Sequence, residues 1–488
     1  MNNRLSVEFG QLFARIPLKK SPHIKHADAL TLDWNELLPN RECFYIFGNP
    51  PFLGAKLQSA EQRAQVKSIA NLGGSGGTLD FVSAWFLKAG EYINGGATKI
   101  AFVATNSITQ GEQVAQLWPS LYQKYGLEIS YAHRTFAWGS DAKGKAHVHV
   151  VIIGLCHKDS EPAVKRLFTY SGIDDEPHES KHTALTAYLF EATSNSTRHL
   201  VVSEAAHPIN GLPKLIIGSK PIDGGNYIFE GKDKDDFLKK EPNSAKYFHP
   251  YIGAREYLNG GDRWILSLVD ASPATQKSMP EVAKLIKLVK DFRQKSVSPQ
   301  TRALAKTPTK FHVTIIPDNP FLVLPEVSSA RRDYLPIGWL EPPVIPSNLV
   351  KVLLNPQKSI SAVLTSSMHM AWLRYIGGRL KSDYRYSIGL VYNTFPFPKI
   401  TKTQQTKLDK LAQSILDIRL AYKDSSLAEL YDPNHMPPKL LSVHTSLDRA
   451  VDRLYRKAPF KSERERAEHL FGLYKTLSKP LATPSLKR

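Results

Sequence analysis

The stretch FYIFGNPPF, residues 44–52, joins a short apolar run to a rigid polar turn. The apolar residues before Gly48 predict a buried β-strand. An asparagine set against two prolines and an aromatic ring then follows, where a Pro-Pro pair is usually only a stiff turn after a strand. The stretch therefore marks both the end of a predicted strand and the place where a polar side chain is presented in a fixed direction.

Alternating strands and helices extend outward from this stretch over the first 160 residues. Strands are predicted at 42–48, 99–105, 127–136 and 147–155, and helices at 59–70, 79–93 and 112–125, the last interrupted by Pro119. This alternation predicts an α/β fold, the later part of a Rossmann-like, doubly wound sheet with helices on both faces.

The rest of the chain divides into three parts that differ in residue composition and periodicity. Polar, turn-rich sequence predicts a connector, short β-like runs rich in Gly, Pro and basic residues predict an α+β domain, and a charged helical pattern predicts a C-terminal helical segment. The predicted division is 1–160, 161–209, 210–398 and 399–488.

The chain is strongly basic. Its 64 Lys and Arg against 45 Asp and Glu give a formal charge of +19 over 488 residues, which favours a polyanion such as nucleic acid as partner. Two cysteines, Cys43 and Cys156, are too few for a zinc cluster or a disulfide framework, so no metal is expected. The sequence has no signal core and no window near the roughly 18 apolar residues of a membrane helix, so we expect a cytoplasmic protein that uses no membrane.

Asn-Pro-Pro-aromatic has a specific chemical use. The lone pair of an amine on a planar base such as adenine is delocalised into the ring, which makes the amine a weak nucleophile. The Asn49 side-chain carbonyl and the Pro50 backbone carbonyl can accept its two N–H groups and localise that lone pair, while Phe52 offers a ring face for stacking. The alternative is a chance turn without chemistry.

The segment HADALTLDW, residues 26–34, precedes the opening stretch by about a dozen residues. In a doubly wound sheet, ligands bind at the carboxyl edge of neighbouring strands. Asp28 and Asn49 are therefore compatible with one shared pocket.

These segments, in this order along the chain, carry a family resemblance. Together with TLDFVSAWFLKAGEYI (78–93), TKIAFVATNSITQGEQ (98–113) and AHRTFAWGSDAKGKAHVHVVIIG (132–154), they resemble the later motifs of the gamma-order adenine-N6 DNA methyltransferases. More narrowly, HPYIGAREYL (249–258), SMHMAWLRYIGGRLKSDYRYS (367–387) and LVYNTFPFP (390–398) resemble the MmeI-like type II restriction-modification enzymes. The resemblance covers nearly the whole chain and implies a site-specific, adenine-specific DNA methyltransferase that uses S-adenosylmethionine, flips its target base and acts on double-stranded DNA.

The resemblance also implies roles for particular residues. The catalytic residues are Asn49, Pro50, Pro51 and Phe52, of which Asn49 and Pro50 supply the acceptors and Phe52 stacks on the target base. The cofactor adenine is bound at Asp28 and Ala29. Asp80 supports the pocket, and Phe136 stacks on the flipped adenine opposite Phe52.

Each of these residues has a second interpretation. Asp28 can also be a helix cap or surface turn residue, and Asp80 an N-terminal helix residue with a structural effect. Phe136 can be a core residue, with Trp138 as its competitor for the stack. The glycine run at 73–77 favours a linker or lid over a phosphate loop. His147 and His149 alternate along a strand and are read as strand residues rather than metal ligands.

DNA sequence is expected to be read by the 210–398 domain. Lys381 and Asp383, two residues apart, would point the same way on an extended strand. Lys can donate to guanine and Asp can accept from the paired cytosine, so the two side chains together can read one G·C pair. The MmeI-like resemblance implies such a charged pair here, and the alternative is a surface ion pair.

The resemblance implies parts that this sequence does not contain, among them a Gly-rich cofactor loop and an N-terminal nuclease. We therefore expect only a partial S-adenosylmethionine site, weak or no methylation by the chain alone, and a partner encoded upstream that supplies the nuclease and the rest of the methyltransferase domain. A truncated remnant is the alternative origin. The alternative function is a non-catalytic, sequence-specific DNA-binding subunit, whose binding would survive Asn49→Ala; an RNA or protein methyltransferase is a third possibility.

Overall fold

A six-stranded mixed sheet forms the first part of the computed structural model, which describes residues 23–71, 78–138, 148–170, 175–192, 195–380 and 382–478. Its strands are β1 (Tyr45–Gly48), β2 (Lys99–Thr105), β3 (Leu127–Trp138), β4 (Val148–His157), β5 (Lys165–Thr169) and β6 (His178–His182). The order across the sheet is β1-β2-β4-β3-β5-β6. β1 and β2 are parallel, with Tyr45 opposite Lys99, and both β2 and β3 are antiparallel to β4. The carboxyl ends of β1, β2 and β3 therefore lie at one edge of the sheet.

Three helices connect these strands: α1 (Ala60–Ala70), α2 (Ser83–Ile93) and α3 (Glu112–Pro119). After Pro119 the third continues as a π-helical turn, Ser120–Lys124, since proline cannot donate to a regular helical hydrogen bond. The steps from β1 to β2 and from β2 to β3 run in the same direction across the sheet, so right-handed connections place these helices on one face. Phe86 of α2 packs there against Phe102 of β2, with ring centroids 5.2 Å apart.

The opposite face of this sheet differs from the prediction. Along β2, Ile100, Phe102 and Ala104 are buried under the helices, whereas Lys99 and Ala101 are exposed or half-buried. Helices on both faces are thus wrong for the part of the chain that the structure describes, because both connections turn to the same side.

The segment 161–209, predicted to be a connector, supplies β5 and β6 to the same sheet. β5 runs parallel to β3, and β6 pairs antiparallel with β5. The sequence HESKH of β6 is polar and mostly exposed, so its alternation carries no hydrophobic signal.

The next part of the chain is an α+β region with three small sheets. Its strands are β7 (Ile216–Ile217), β8 (Ile228–Glu230), β9 (Phe248–Ile252), β10 (Arg263–Leu266), β11 (Phe321–Pro325), β12 (Val327–Ser328), β13 (Gly338–Leu340), β14 (Ile345–Pro346), β15 (Val350–Leu354), β16 (Gly378–Leu380) and β17 (Asp383–Arg385). They pair in the orders β14-β9-β10-β8, β13-β11-β15-β7 and β12-β17-β16. The helices of this region are α4 (Asn195–Arg198), α5 (Gly231–Lys240), α6 (Ala254–Asn259), α7 (Pro273–Lys277), α8 (Pro280–Gln294), α9 (Pro299–Ala303), α10 (Lys358–Thr365) and α11 (Ser367–Ile376).

Four helices end the described chain: α12 (Lys402–Ala421), α13 (Leu427–Leu430), α14 (Pro438–Tyr455) and α15 (Glu463–Leu477). Trp372 of α11 packs on Phe471 of α15, with ring centroids 5.2 Å apart. One hydrophobic core is continuous from the six-stranded sheet to these helices. The predicted α/β, α+β and helical order of the chain is confirmed.

The described ranges also bear on membrane spans, metal sites and disulfides. In them, no helix combines the length and the apolar surface needed to cross a bilayer. No three His, Cys, Asp or Glu side chains in these ranges are grouped to hold a metal ion. Cys43 and Cys156 are both free thiols.

Candidate active site and nucleic-acid interface

The Asn-Pro-Pro-Phe turn follows the carboxyl end of β1 and is held by hydrogen bonds to residues that lie just before α2. Asn49 is exposed, whereas Pro50 is buried. Just past the turn, the Leu53 backbone N–H donates to Asp80 Oδ1 at 3.2 Å, and the Leu53 carbonyl accepts from the Phe81 N–H at 3.0 Å. The turn is therefore held against the start of α2 while Asn49 faces solvent.

Asp80 joins three segments of the chain. Its Oδ1 accepts from the N–H groups of Leu53 and Val82, and its Oδ2 accepts from the Thr105 hydroxyl at 3.1 Å. Burial raises the pKa of this carboxyl, and the hydrogen bonds oppose the rise. Asp80 thus lies three residues before α2, which begins at Ser83, and it fixes the turn that carries Asn49. Its role in supporting the pocket stays a prediction.

Two glutamines complete this support, and sequence reasoning assigned no role to either. Gln58 donates to the carbonyls of Leu53 at 3.0 Å and Leu79 at 2.9 Å. Gln113 accepts from the Asp80 N–H at 2.9 Å. Gln113 belongs to the TNSITQGEQ segment that carries the family resemblance, but nothing in its spacing pointed to Asp80.

A groove of about 610 Å³ lies beside the turn. Its walls are apolar and aromatic, and it is lined by Ala29, Trp34, Phe47, Gly48, Asn49, Pro50, Trp85 and Tyr92, among others. The Ala29 carbonyl accepts from Trp34 Nε1 at 2.8 Å, and the Leu30 carbonyl accepts from Lys88 Nζ of α2 at 2.8 Å. The structure therefore brings Ala29 and Asn49, which are far apart in sequence, to one groove.

Asp28 lies next to this groove, but its carboxylate already accepts hydrogen bonds from other groups of the protein. Its Oδ1 accepts from the Leu30 N–H at 2.9 Å, its Oδ2 accepts from Gln65 of α1, and its carbonyl accepts from the N–H of Leu32 at 3.0 Å. These are the contacts of the turn interpretation. Binding of a cofactor by Asp28 stays a prediction.

Phe136 lies near the carboxyl end of β3, at the same sheet edge as the turn. Its ring stacks on Tyr170 at a centroid distance of 5.0 Å, and its side chain is half-buried. β1 and β3 are three strand spacings apart, about 14 Å of sheet. A stack of one base between Phe52 and Phe136 stays a prediction, and the side chain of its competitor Trp138 lies outside the described part.

Of the two residues predicted to read a base pair, Lys381 and Asp383, the structure describes only Asp383. Lys381 lies outside the described residues, as do His147 and the glycine run at 73–77. Asp383 begins β17, and its Oδ1 accepts from the Ala330 N–H at 3.3 Å. Burial lowers the pKa of the Arg332 guanidinium, and the nearby Asp383 carboxylate opposes that shift.

A polar cleft of about 530 Å³ separates the six-stranded sheet from the α+β region; we call it the interdomain cleft. Asp80, Thr105 and Gln110 line one wall. On the other wall, Glu326 pairs with Lys351 at 2.8 Å and faces Arg385 at 3.5 Å.

One direct link crosses beside this cleft. Arg379 Nε of β16 donates to Gln110 Oε1 at 3.2 Å, and the Gly111 N–H donates to the Ile376 carbonyl at 3.2 Å. Gly111 has a φ of +71°, and an added Cβ would lie 3.1 Å from the Gly378 Cα. A side chain at Gly111 would therefore push the two regions apart. Nothing in the spacing of Gln110 and Arg379 along the sequence indicated this link.

Fold and site together define a class: an α/β domain of the methyltransferase type, joined across a polar cleft to a separate recognition region and a helical C-terminal segment. Residues 1–169 match the family model of the MmeI DNA-methyltransferase domain, 196–399 that of the MmeI target recognition domain, and 400–482 that of the MmeI C-terminal domain. The chain belongs to the MmeI family of restriction-modification proteins.

Two known proteins are similar over almost the whole chain. DNA methyltransferase A of Bacillus subtilis (strain 168) is 38% identical over 465 residues, which is 95% of this chain and 51% of that protein. The type IIL restriction-modification enzyme MmeI, solved in complex with DNA, is 42% identical with a TM-score of 0.88, over 98% of this chain and 63% of that one. The chain thus spans about half the length of its curated relative.

Proposed function

We propose that this chain carries the amine-activating part and the sequence-reading part of an adenine-N6 DNA methyltransferase of a restriction-modification system. The observation that supports this most is the exposed Asn49 at the end of a parallel strand, in a turn whose backbone Asp80 fixes from below. Family membership and a relative described as a DNA methyltransferase favour the same activity.

The chemistry follows from the acceptors in the turn. The Asn49 side-chain oxygen and the Pro50 carbonyl accept from the two N–H groups of the adenine amine, which draws its nitrogen toward tetrahedral geometry. The stiff prolines hold both acceptors before the reaction begins, so little reorganisation is needed in the transition state. The amine nitrogen then attacks the methyl group directly, and its proton leaves after the attack without a covalent enzyme intermediate. Because an amine inside a duplex cannot align for such an attack, the adenine must be flipped out.

The methyl group comes from S-adenosylmethionine, which supplies an electrophilic sulfonium methyl when bound. The groove beside Asn49 fits the adenine ring of that molecule, because Trp34, Trp85 and Tyr92 give it flat apolar walls. Ala29 lies in that lining, and Asp28 is adjacent to it. We keep both residues as cofactor contacts, with the site only partly formed by this chain.

DNA binding belongs to the same proposal. The charge of +19 favours a polyanion, and the MmeI relative was solved with DNA. A flipped adenine would enter from the interdomain cleft toward Asn49 and stack on Phe52 and Phe136, while Lys381 and Asp383 read one base pair. We also keep as proposals a cytoplasmic location and a partner polypeptide that supplies the nuclease and the rest of the methyltransferase domain.

Product analysis tests this function. The chain is incubated with S-adenosylmethionine and duplex DNA, alone and with the unmatched part of the Bacillus subtilis relative, and the DNA is digested to nucleosides. The proposal expects N6-methyladenine. Methylcytosine as the product, or methylated protein in place of DNA, would contradict it.

A further inference from the structure

A cavity of about 830 Å³ lies between the α+β region and the C-terminal helices. It is lined by Tyr257 of α6, Trp339 of β13, and Leu416 and Arg419 of α12, among others. We call it the α12 pocket. None of the described residues that line it belongs to the groove beside Asn49 or to the interdomain cleft. Its size is that of sites that hold small organic molecules.

Arg419 brings a buried positive charge to this pocket. Its side chain is 9% exposed, and no carboxylate of the described residues forms an ion pair with it. Its Nε donates to the Tyr431 hydroxyl at 2.8 Å, its Nη2 donates to the same hydroxyl, and its Nη1 donates to the Ile337 carbonyl. Neutral oxygens are thus the acceptors that the described chain gives this guanidinium. A buried cation is ordinarily paired with an anion, because removing it from water is costly.

The Tyr257 hydroxyl lies beside the same guanidinium. It is buried and forms no hydrogen bond of regular geometry with the described residues. Burial raises the pKa of this phenol, and the positive charge of Arg419 opposes the rise. Gly338 lies against both groups, since an added Cβ would be 2.2 Å from the Tyr257 Oη and 3.3 Å from the Arg419 Nη1. The wall of the pocket therefore presents a hydroxyl and a guanidinium side by side.

Most of the remaining wall is apolar or aromatic. Trp339, Leu416, Leu420 and Tyr422 belong to it, and Leu420 is 67% exposed. A flat apolar molecule gains free energy by covering such side chains and excluding water from them. A highly charged molecule gains little from the same contacts.

The charged groups of the pocket select an anion with a single charge. Among the described lining residues, Lys358, Arg419 and Lys423 face only one carboxylate, that of Glu341. Lys358 Nζ already donates to Gln413 at 2.6 Å, and Lys423 is exposed. Arg419 is therefore the principal cation, and a guanidinium beside a hydroxyl matches the two oxygens of a carboxylate.

We propose that the α12 pocket binds a small aromatic carboxylate. Its carboxylate group pairs with Arg419 and accepts from the Tyr257 hydroxyl, while its ring covers Trp339 and Leu416. Such a ligand contacts β13 and α12 at once, and so ties the recognition region to the C-terminal helices. The site is independent of the methyl-transfer chemistry proposed above, because the two share no lining residue among those that the structure describes.

Calorimetry with two matched molecules tests the need for the negative charge. 2-Naphthoate carries a carboxylate on a flat ring system, and 2-naphthamide has the same rings without the charge. The 488-residue chain should bind one equivalent of 2-naphthoate, with a Kd about tenfold or more below that for 2-naphthamide. Arg419→Met keeps an apolar stem and removes the guanidinium, so it should reduce this preference to about twofold or less.

A second substitution tests the location. Leu416→Trp leaves Arg419 unchanged but fills part of the pocket, so it should weaken 2-naphthoate binding about tenfold or more. Leu441→Trp makes the same change at a leucine of α14 that is 44% exposed and does not line the pocket, and should leave the Kd unchanged. Circular dichroism checks the fold of each variant. If Arg419→Met fails to fold, Leu416→Trp and the pair of molecules still decide the proposal.

Several results would overturn the proposal. These are no binding of 2-naphthoate to the folded chain, equal binding of the two molecules, or an unchanged preference for the carboxylate in folded Arg419→Met. Binding that folded Leu416→Trp leaves intact would place the ligand elsewhere. A short duplex DNA that displaces 2-naphthoate would assign Arg419 to a DNA phosphate and would also overturn it.

Discussion

Asp80 shows how one carboxyl organises the candidate site. It accepts from Leu53, 27 residues earlier in the chain, and from Thr105, 25 residues later. Its place shortly before a helix was readable from the sequence, although the helix begins at Ser83 and not at 79. The long-range partners were not, because hydrogen bonds between distant segments leave no periodic pattern in a sequence.

Asp80→Ala should destabilise the chain by about 3 kcal/mol, because it leaves one buried donor, on Val82, and two part-buried donors, on Leu53 and Thr105, without an acceptor. The measurement is the free energy of unfolding in urea. Asp235→Ala removes a largely exposed carboxyl and is the control, with an expected change within about 0.5 kcal/mol. Equal changes in the free energy of unfolding from the two substitutions would show that the hydrogen bonds of Asp80 do not hold the turn.

At the scale of elements, strong periodicity decided what could be predicted. β2 is predicted at 99–105 and occupies Lys99–Thr105, and helix 59–70 begins one residue later than predicted, at Ala60. The capping box of Ser59 and Gln62 explains that start. β5 and β6 escaped prediction, since short edge strands with polar side chains depend on their neighbours for structure.

The hydrogen bond between β16 and the loop after β2 should matter for methyl transfer. We expect Arg379→Ala and Gln110→Ala each to slow methyl transfer about tenfold, because their hydrogen bond holds the β16–β17 hairpin against the loop that follows β2. Since both substitutions break the same bond, the double variant should be no slower than the slower single variant. The test is a double-mutant cycle on kcat with DNA affinity measured in parallel. Additive losses would mean that the two side chains act separately.

α11 supplies a pH-dependent contribution to stability. Burial lowers the pKa of the His369 imidazole to about 3, and its Nε2 is 2.9 Å from the Tyr386 hydroxyl. A depressed pKa means that the unfolded chain takes up the proton first, near pH 6.5, so stability falls as pH drops below that value.

Between pH 7.5 and 5.5, His369 should therefore account for a loss of about 1.4 kcal/mol in the free energy of unfolding. In His369→Gln that part of the pH dependence should disappear, while His312→Gln, at an exposed histidine, should retain it. Urea titrations at the two pH values measure it. A pH dependence unchanged in His369→Gln would contradict the assignment.

At the scale of the whole molecule, charge and domain order were readable, and the relation between domains was not. The basic composition and the α/β, α+β and helical order follow from counts and local patterns. The interdomain cleft is lined by residues that are far apart in sequence, among them Thr105, Glu326 and Arg385. Only the folded chain brings these groups together.

The charge of +19 predicts salt-sensitive DNA binding. If about six to ten phosphates are neutralised, affinity should fall by roughly 10³ to 10⁵ between 50 and 200 mM salt. Fluorescence anisotropy of a labelled duplex over this range gives the slope of log K against log salt. A slope near zero would contradict a phosphate-binding surface.

The central claim is that Asn49 activates an adenine amine without being needed to hold DNA. The direct measurement compares the wild-type chain with Asn49→Ala, each with and without the part of the Bacillus subtilis relative that this chain does not match, for N6-methyladenine formation and for DNA affinity. The account predicts at least a 100-fold loss of methylation with a Kd for DNA that changes by less than about twofold. Methylation that survives Asn49→Ala, or a wild-type chain that binds DNA but forms no N6-methyladenine in either condition, would contradict it.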